Sequence, residues 1–195
     1  MTPGRPKTFE QNDALDQAIE IFCRKGYEAA SLDDLLKSMR LGKGSLYHFF
    51  GSKKELFQQA LNRYVDRFLI DFSYQLEISE KPIELIKDFF VSIAEEEVEE
   101  HKKGCFMGNS VVGLAGNDAI LTRHAADKLK SLEDVFYINI RKAQLLGQLS
   151  ENKNARLTAR LLITFWNGLN VTRRVYPDSK TLKEIITIQL NIIFE

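Results

Sequence analysis

Apolar residues recur every three or four positions along almost the whole chain. In the first stretch Leu15, Ala18, Ile19 and Phe22 follow the i, i+3, i+4, i+7 spacing that places side chains on one face of a helix. Strand-type alternation of apolar and polar residues is nearly absent. The pattern therefore predicts an all-α protein of about nine helices.

Glycine, proline and capping residues mark where the predicted helices begin and end. Ser31 and Ser52 each precede an acid three residues later, in "SLDD" and "SKKE", which is the capping-box pattern of a helix start. Gly26 is placed to end the first helix. Helices are expected over about 9–25, two turns from 31, 43–50, 53–76, 82–100, 105–115, 118–146, 152–175 and 180–194.

Charge is balanced over the whole chain but not along it. The 195 residues hold 27 Lys and Arg against 27 Asp and Glu, so the chain is not a general polycation. Between Lys37 and Lys54, however, there are five basic residues and no acid, whereas "EEEVEE" at 95–100 has five acids. We expect two domains: residues 1–52 with the basic segment, and residues 53–195.

The predicted helix at 43–50 has two unlike sides. On a helical projection Leu46, Phe49 and Phe50 form an apolar side that can pack inward. The opposite side carries groups that reach phosphates and base edges, with Ser45 at the border: Lys43, Gly44, Tyr47 and His48. A second short helix precedes this one across a four-residue turn, which is the arrangement of a DNA-binding helix-turn-helix.

Two flanking positions extend this predicted DNA-binding surface. Lys53 lies in the first turn of the helix that follows, where free amides and the helix dipole favour a phosphate. Ser31 offers a similar anion site at the start of the second helix. We therefore expect double-stranded DNA to be a partner.

Residues 18–57 resemble the N-terminal module of the TetR family of bacterial transcription regulators. The resemblance lies in the "F…GY…SL" lead-in (Phe22 to Leu32), in "GSLYHFF" and in "SKKELF". It implies a homodimeric, all-helical regulator, a repressor more often than an activator, whose C-terminal region binds a small molecule. The family's DNA contacts fall on these residues of this chain: Ser31, Lys43, Gly44, Ser45, Tyr47, His48 and Lys53.

The turn of the helix-turn-helix departs from the family pattern. It commonly reads Ala-Gly-Val-Ser, where this chain has Met39, Arg40, Leu41 and Gly42. Arg40 thus stands where a glycine often accommodates unusual backbone angles, and Gly42 replaces a capping serine. Phe49 replaces a residue that often reaches a phosphate. We hypothesise that Arg40 supplies a compensating phosphate contact.

Residues 103–115, "KGCFMGNSVVGLA", resemble a segment that forms the floor of the ligand cavity in one branch of the family. Phe106, Met107 and Asn109 would then lie near the effector, although ordinary core packing is an equal interpretation of this segment. Further candidates are large or polar residues on later helices: Phe136, Phe165, Trp166 and Asn170. An uncharged hydrophobic or aromatic effector fits this composition best.

The last two predicted helices, about 152–194, are apolar on more than one face. Such helices must be buried within the subunit or against a second copy, so we expect a homodimer through them. A dimer carries two recognition helices and would bind a palindromic operator.

Cys105 and His101 admit other functions. Lys102, Lys103 and a protonated His101 could lower the pKa of the Cys105 thiol and make it a sensor, while the commoner alternative is a buried small residue. Cys23 is expected in the core. His101 and Cys105 could share a metal ion, but two ligands make a weak case, and we expect no metal and no cofactor.

An enzyme is the main rival to the regulator. The sequence lacks a phosphate loop, a nucleophile elbow and a zinc-helix motif, so we expect no enzyme. A helical ligand-binding protein or enzyme that no longer reads DNA is the alternative. The absence of a signal peptide and of a long apolar segment, together with only two cysteines, predicts a cytoplasmic protein with no membrane partner.

Overall fold

A computed structural model of the chain describes residues 10–195. This described part consists of α-helices and loops, without a strand, which confirms the predicted fold class. The ten helical segments are α1 (Gln11–Ala29), α2 (Leu32–Met39), α3 (Lys43–Phe50), α4 (Lys53–Ile78), α5 (Pro82–Ile93), α6 (Val98–Lys103), α7 (Phe106–Leu114), α8 (Ala119–Leu145), α9 (Ala155–Val175) and α10 (Ser179–Phe194).

The predicted end of the first helix at Gly26 and the predicted starts of α2 and α4 are confirmed by their caps, while the predicted start near residue 9 lies outside the described residues. Gly26 has φ 75° and ψ 173°, so regular helix in α1 ends before it, as its position in the sequence predicts. At α2 the Ser31 hydroxyl accepts from the Asp34 amide, and the Asp34 carboxylate accepts from the Ser31 amide. Ser52 and Glu55 form the same reciprocal pair at α4, with distances of 2.7 and 3.2 Å.

The single helix predicted over 82–100 is wrong, because the chain forms two helices there. α5 ends at Ile93, and α6 begins at Val98. The intervening residues include Glu95 and Glu96, whose carboxylates bind cations of distant helices: Lys183 of α10 at 2.7 Å and Arg173 of α9. These ion pairs and the repulsion between consecutive glutamates favour a break in the helix at this point.

The chain divides into two compact units, and the division falls within α4, between Tyr64 and Val65. The sequence-based boundary after residue 52 corresponds instead to the start of α4. In the first unit, α1, α2 and α3 and the first turns of α4 enclose a small core that includes Phe22, Leu35, Leu46 and Phe57.

The second unit is built around α8 and α9, which pack against each other. α7 and α5 contact α8, α6 contacts α9, and α10 contacts α5 and α9. The core of this unit includes the buried side chains of Phe90, Phe136, Leu162 and Ile186. Within residues 10–195, no helix is long and apolar enough to cross a membrane.

Candidate nucleic-acid interface and ligand site

The turn between α2 and α3 has the irregular backbone that its sequence indicates. Arg40 adopts the left-handed conformation, with φ 54° and ψ 42°, and is the one non-glycine residue with a positive φ in the described part of the chain. The Leu41 amide then donates to the Leu36 carbonyl at 3.0 Å. This closes α2 and turns the chain tightly into α3.

α3 presents a polar side outward, and its apolar side is narrower than predicted. Leu46 and Phe50 are buried, whereas the predicted packing of Phe49 is wrong: its side chain is 41% exposed. The Phe49 ring instead contacts the His48 ring edge-to-face, with 4.9 Å between centroids. The predicted contact residues of this helix are all exposed: Lys43, Gly44, Ser45, Tyr47 and His48.

The N-terminus of α3 is open to an anion. Gly42 is its N-cap and supplies no side-chain hydrogen bond, and the first turn contains no acid. In contrast, acids lie in the first turns of α1, α2 and α4: Asp13, Asp33, Asp34 and Glu55. Of the helices of the first unit within residues 10–64, α3 is therefore the one whose N-terminal amides and dipole face no carboxylate from their own first turn.

Ser31 and Lys53 are held by partners within the first unit. The Ser31 hydroxyl donates to Asp34 at 2.7 Å, and Lys25 binds the same carboxylate at 2.8 Å. Lys25 and Ser31 together hold the pKa of Asp34 well below its usual range. The carboxylate thus lies where an anion site was expected beside Ser31.

Lys53 packs on an aromatic ring. Its Nζ lies 4.5 Å from the centroid of the Tyr27 ring, which in turn contacts Phe57 at 5.1 Å. Burial lowers the pKa of Lys53, although the nearby Glu28 opposes that shift. DNA contacts from Ser31 and Lys53 stay predictions.

Arg40 is exposed and also borders a groove between α1 and α2. The groove has a volume of about 980 Å³ and is lined by charges of both signs, among them Asp13, Arg24 and Lys37. The contact of Arg40 with phosphate stays a prediction.

Most of the predicted effector residues are buried in the second unit. Phe106, Met107, Phe136, Trp166 and Asn170 are buried, and Phe165 and Asn109 are half-buried. The rings of Phe136, Phe165 and Trp166 all contact Phe90, at centroid distances of 5.9, 5.1 and 6.3 Å. These aromatic candidates therefore form one cluster.

The two asparagines bond to the main chain. Asn109 Nδ2 donates to the Lys103 carbonyl at 2.9 Å, which bridges α6 and α7. Asn170 Nδ2 donates to the Trp166 carbonyl at 2.8 Å, one turn earlier on α9. The residues present are thus an aromatic core with a few amides at its border, and their contact with an effector stays a prediction.

Cys105 is a buried capping residue, which agrees with the commoner alternative of a buried small residue and not with a lowered thiol pKa. Burial raises the pKa of the thiol, even though Sγ accepts from Trp166 Nε1 at 3.3 Å and from the Gly108 amide at 3.4 Å. The lysines expected to activate it bind acids instead, Lys102 to Glu99 at 2.5 Å and Lys103 to Glu100 at 2.6 Å. Their charges are therefore compensated.

The structure also describes the surroundings of Cys23, His101 and Cys105. Cys23, expected in the core, is half-buried. No third histidine, cysteine or carboxylate joins His101 and Cys105 to form a metal-binding group among the residues that the structure describes.

The polar contacts between α9 and the segment before α7 were not predicted from the sequence. Arg173 is buried, binds Glu96 and donates to the Gly104 carbonyl at 3.0 Å. Arg174 donates to the Lys103 carbonyl at 2.5 Å. The one signal in the sequence is that Arg173 shares a helical face with Trp166 and Asn170, where a cation needs a buried partner.

Both units match known protein families. The family model described as "Bacterial regulatory proteins, tetR family" matches residues 14–60, which include α2, the turn and α3. The model described as "Tetracyclin repressor-like, C-terminal domain" matches residues 83–188.

Full-length relatives and solved structures agree with these matches. An uncharacterized HTH-type transcriptional regulator of Bacillus subtilis, YezE, is 30% identical over 97% of this chain and 99% of its own length. The Escherichia coli HTH-type transcriptional repressor ComR is 29% identical over 97% of this chain and 91% of its own. A structure of the regulator CifR with operator DNA has the same fold, with a TM-score of 0.81, 23% identity and coverage of 96% and 98% of the two chains. The chain therefore belongs to the TetR family of DNA-binding bacterial transcription regulators.

Proposed function

We propose that the chain is a homodimeric repressor that binds a palindromic operator through α3 and is released by a small apolar effector bound in the second unit. The observation that carries the proposal is the outward side of α3. It combines exposed Lys43, Tyr47 and His48 with a helix N-terminus whose own first turn has no acid. Phosphate contacts at that terminus would fix the helix in the major groove, and the side chains would read bases.

Close approach to DNA is supported by Gly44. Its α-carbon is exposed on α3, and no atom lies within 4 Å of the position that a β-carbon would take. The DNA backbone could therefore approach the helix backbone directly there.

Apolar residues on the surface of the last two helices support a homodimer. On α9 and α10 these large side chains are exposed: Leu157, Leu161, Val171, Val175, Ile188 and Ile192. Exposed apolar side chains repeated along two neighbouring helices are typical of an interface between copies. A dimer would present two α3 helices about 34 Å apart, or a multiple of that spacing, to the halves of a palindrome.

The names of relatives support the repressor assignment. ComR, which aligns over nearly the whole chain, is named a transcriptional repressor. A Staphylococcus aureus negative transcriptional regulator, IcaR, is 45% identical over 47 residues, about a quarter of this chain. A regulator of this kind would act in the cytoplasm, where the bacterial chromosome lies.

The aromatic cluster of the second unit supports an apolar effector. Phe136, Phe165 and Trp166 gather around Phe90, and α7 carries the buried, soft side chain of Met107. An effector that binds better to the released state than to the DNA-bound state would shift the dimer between them. α4, which continues from the first unit into the second, would transmit the change.

The experiment is a fluorescence-anisotropy titration against the DNA upstream of the gene for this chain. Wild type should bind tightly, and affinity should fall as salt rises. Lys43→Ala should lower the slope of log affinity against log salt by about 0.9, while Tyr47→Ala should weaken binding with less effect on that slope. Lys130→Ala, a cation of α8 in the second unit, is the matched control and should bind as wild type.

One combined outcome would contradict the proposal. If the chain binds this DNA no better than random DNA, and selection from a random DNA pool also fails, it does not read DNA. A compound that binds under those conditions would then favour the alternative, a helical ligand-binding protein.

A further inference from the structure

Three side chains at the junction of α6 and α7 with α9 bury polar atoms without partners. Both ring nitrogens of His101, Oδ1 of Asn170 and Nε of Arg173 lack a hydrogen-bond partner within residues 10–195. The three residues are only 1%, 5% and 6% exposed. Because buried polar atoms are almost always paired, a group of unpaired ones requires an explanation.

The three side chains face one region. Trp166, Asn170 and Arg173 share one face of α9. Trp166 Nε1 bonds to Cys105, and Arg173 Nη2 bonds to the Gly104 carbonyl. Asn170 lies between these two contacts along α9, so it faces the same junction.

His101 belongs to this region from the other side. It lies on α6, one turn before Gly104. The charges of Arg173 and Glu96 both act on the imidazole, which places them close to it. The unpaired atoms of α6 and α9 therefore converge on the α6–α7 junction.

The charges at the junction favour a neutral ligand. The charge of Arg173 is already compensated by Glu96, so the site does not require an anionic ligand. Burial and the charge of Arg173 lower the pKa of His101, which keeps the imidazole neutral, with one N–H donor and one acceptor nitrogen.

The unpaired atoms thus comprise two donors and two acceptors. The donors are one His101 N–H and Arg173 Nε–H, and the acceptors are the other His101 nitrogen and Asn170 Oδ1. A hydroxyl group accepts two hydrogen bonds and donates one, so it can satisfy both donors and one of the two acceptors. A carboxylate only accepts, and it would face Glu96.

Aromatic side chains lie beside this polar end. The Trp166 ring, adjacent on α9, stacks on Phe89 at 5.5 Å and on Phe68 at 6.2 Å. We propose that His101, Asn170 and Arg173 form the polar end of the effector site and bind the hydroxyl group of a neutral aromatic alcohol. This proposal rests on the effector binding proposed above.

Trp166 allows a direct test, because it is the single tryptophan of the chain. Its fluorescence is recorded in the full-length protein without DNA during titration with benzyl alcohol, toluene and benzoate, three probes of similar size. We expect benzyl alcohol to change the fluorescence with an affinity about tenfold higher than that of toluene, because it adds hydrogen bonds to buried groups. Benzoate should bind more weakly than benzyl alcohol.

Variants at the junction test whether its residues cause the preference for benzyl alcohol over toluene. His101→Phe should remove the preference for the alcohol over toluene, and His101→Gln, which keeps a donor and an acceptor, should restore part of it. Asn170→Leu tests the second side of the junction should the Phe variant fail to fold. His124→Phe on α8, which removes another buried and unpaired ring nitrogen, is the matched control and should keep the preference.

The proposal is overturned if none of the three probes changes the fluorescence, if toluene binds as well as benzyl alcohol, or if His101→Phe and Asn170→Leu keep the preference. A shift in stability alone in these variants would show a purely structural role and would likewise overturn it. Operator binding is measured separately by anisotropy, so a failure here leaves the regulator assignment intact.

Discussion

Arg63 of α4 binds Asp16 of α1 through two parallel hydrogen bonds, Nε to Oδ1 and Nη2 to Oδ2, each 2.7 Å long. Asp16 raises the pKa of Arg63, so the guanidinium stays charged. The planar fork matches the carboxylate and fixes the direction of approach. This pair joins the first turns of α4 to α1 within the first unit.

Replacing Arg63 by lysine should weaken this connection even though the charge is kept. An ammonium group cannot form the paired hydrogen bonds, so we expect a loss of about 1 kcal/mol in the free energy of unfolding, measured with urea. Lys130→Ala is the control, since its pair with Asp127 is exposed and joins neighbouring turns of α8. An equal loss in both variants would mean that the paired geometry contributes nothing.

Local patterns in the sequence predicted the helix-turn-helix well because its signals lie within a few residues of each other. The capping pairs Ser31–Asp34 and Ser52–Glu55 each span three residues. The unusual backbone at Arg40 was indicated by the family resemblance, which places a glycine there. Such features depend on hydrogen bonds between residues a few positions apart, so the identities of neighbouring residues are enough to predict them.

Features that depend on distant residues were not predictable in this way. The break between α5 and α6 accompanies ion pairs from Glu96 to Arg173 and from Glu95 to Lys183, which lie 77 and 88 residues apart in the chain. The outward position of Phe49 likewise depends on how much of α3 the rest of the first unit covers. Periodicity alone cannot supply either fact.

Asp34 should make the stability of the first unit depend on pH. Its folded-state pKa is depressed by Lys25 and Ser31, so its contribution is present above the unfolded-state pKa of about 4 and is lost as the pH falls below that value. Asp34→Asn should therefore be less stable than wild type at pH 7, and the difference should shrink between about pH 4 and pH 2. Urea unfolding of both proteins at several pH values measures this difference in the free energy of unfolding.

The neighbouring Asp33→Asn is the matched control for this prediction. Asp33 lies in the same first turn of α2 but outside the capping box. If both variants show the same pH dependence, the capping-box carboxylate has no special role.

Ile188 and Ile192 of α10 should lie in the dimer interface. Both are exposed on the single chain, and glutamates there would place charges against an apolar partner surface. The double variant Ile188→Glu, Ile192→Glu should raise the dimer dissociation constant at least about 100-fold, as measured by sedimentation equilibrium. Ile120→Glu on α8 is equally exposed and should leave the dimer intact; an unchanged dimer in the α10 variant would place the interface elsewhere.

Cys105 should react slowly with thiol reagents. Its thiol is buried and its pKa is raised by that burial, so little thiolate is present at neutral pH. Cys23 is half-buried and should react first, at least about tenfold faster, with a disulfide reagent. Cys23→Ser and Cys105→Ser, measured separately, assign the two rates. A fast reaction at Cys105 in the folded protein would restore the sensor hypothesis.

Arg40 combines a strained backbone with a charge, and two substitutions separate these properties. A left-handed conformation costs a non-glycine residue about 1 kcal/mol, so Arg40→Gly should raise the free energy of unfolding by up to about that amount. The same variant should weaken operator binding if Arg40 contacts phosphate, and the salt slope should fall by about 0.9.

Arg40→Lys and Arg40→Asn complete the separation of charge from backbone strain. Lysine keeps the charge and should keep both the salt slope and most of the affinity, whereas asparagine tolerates the left-handed conformation but lacks the charge and should bind DNA like the glycine variant. Anisotropy at several salt concentrations gives the slopes, and urea unfolding gives the stabilities. If glycine stabilises the protein while the salt slope stays at the wild-type value, Arg40 forms the turn without touching phosphate, and the charge at this position is incidental to DNA binding.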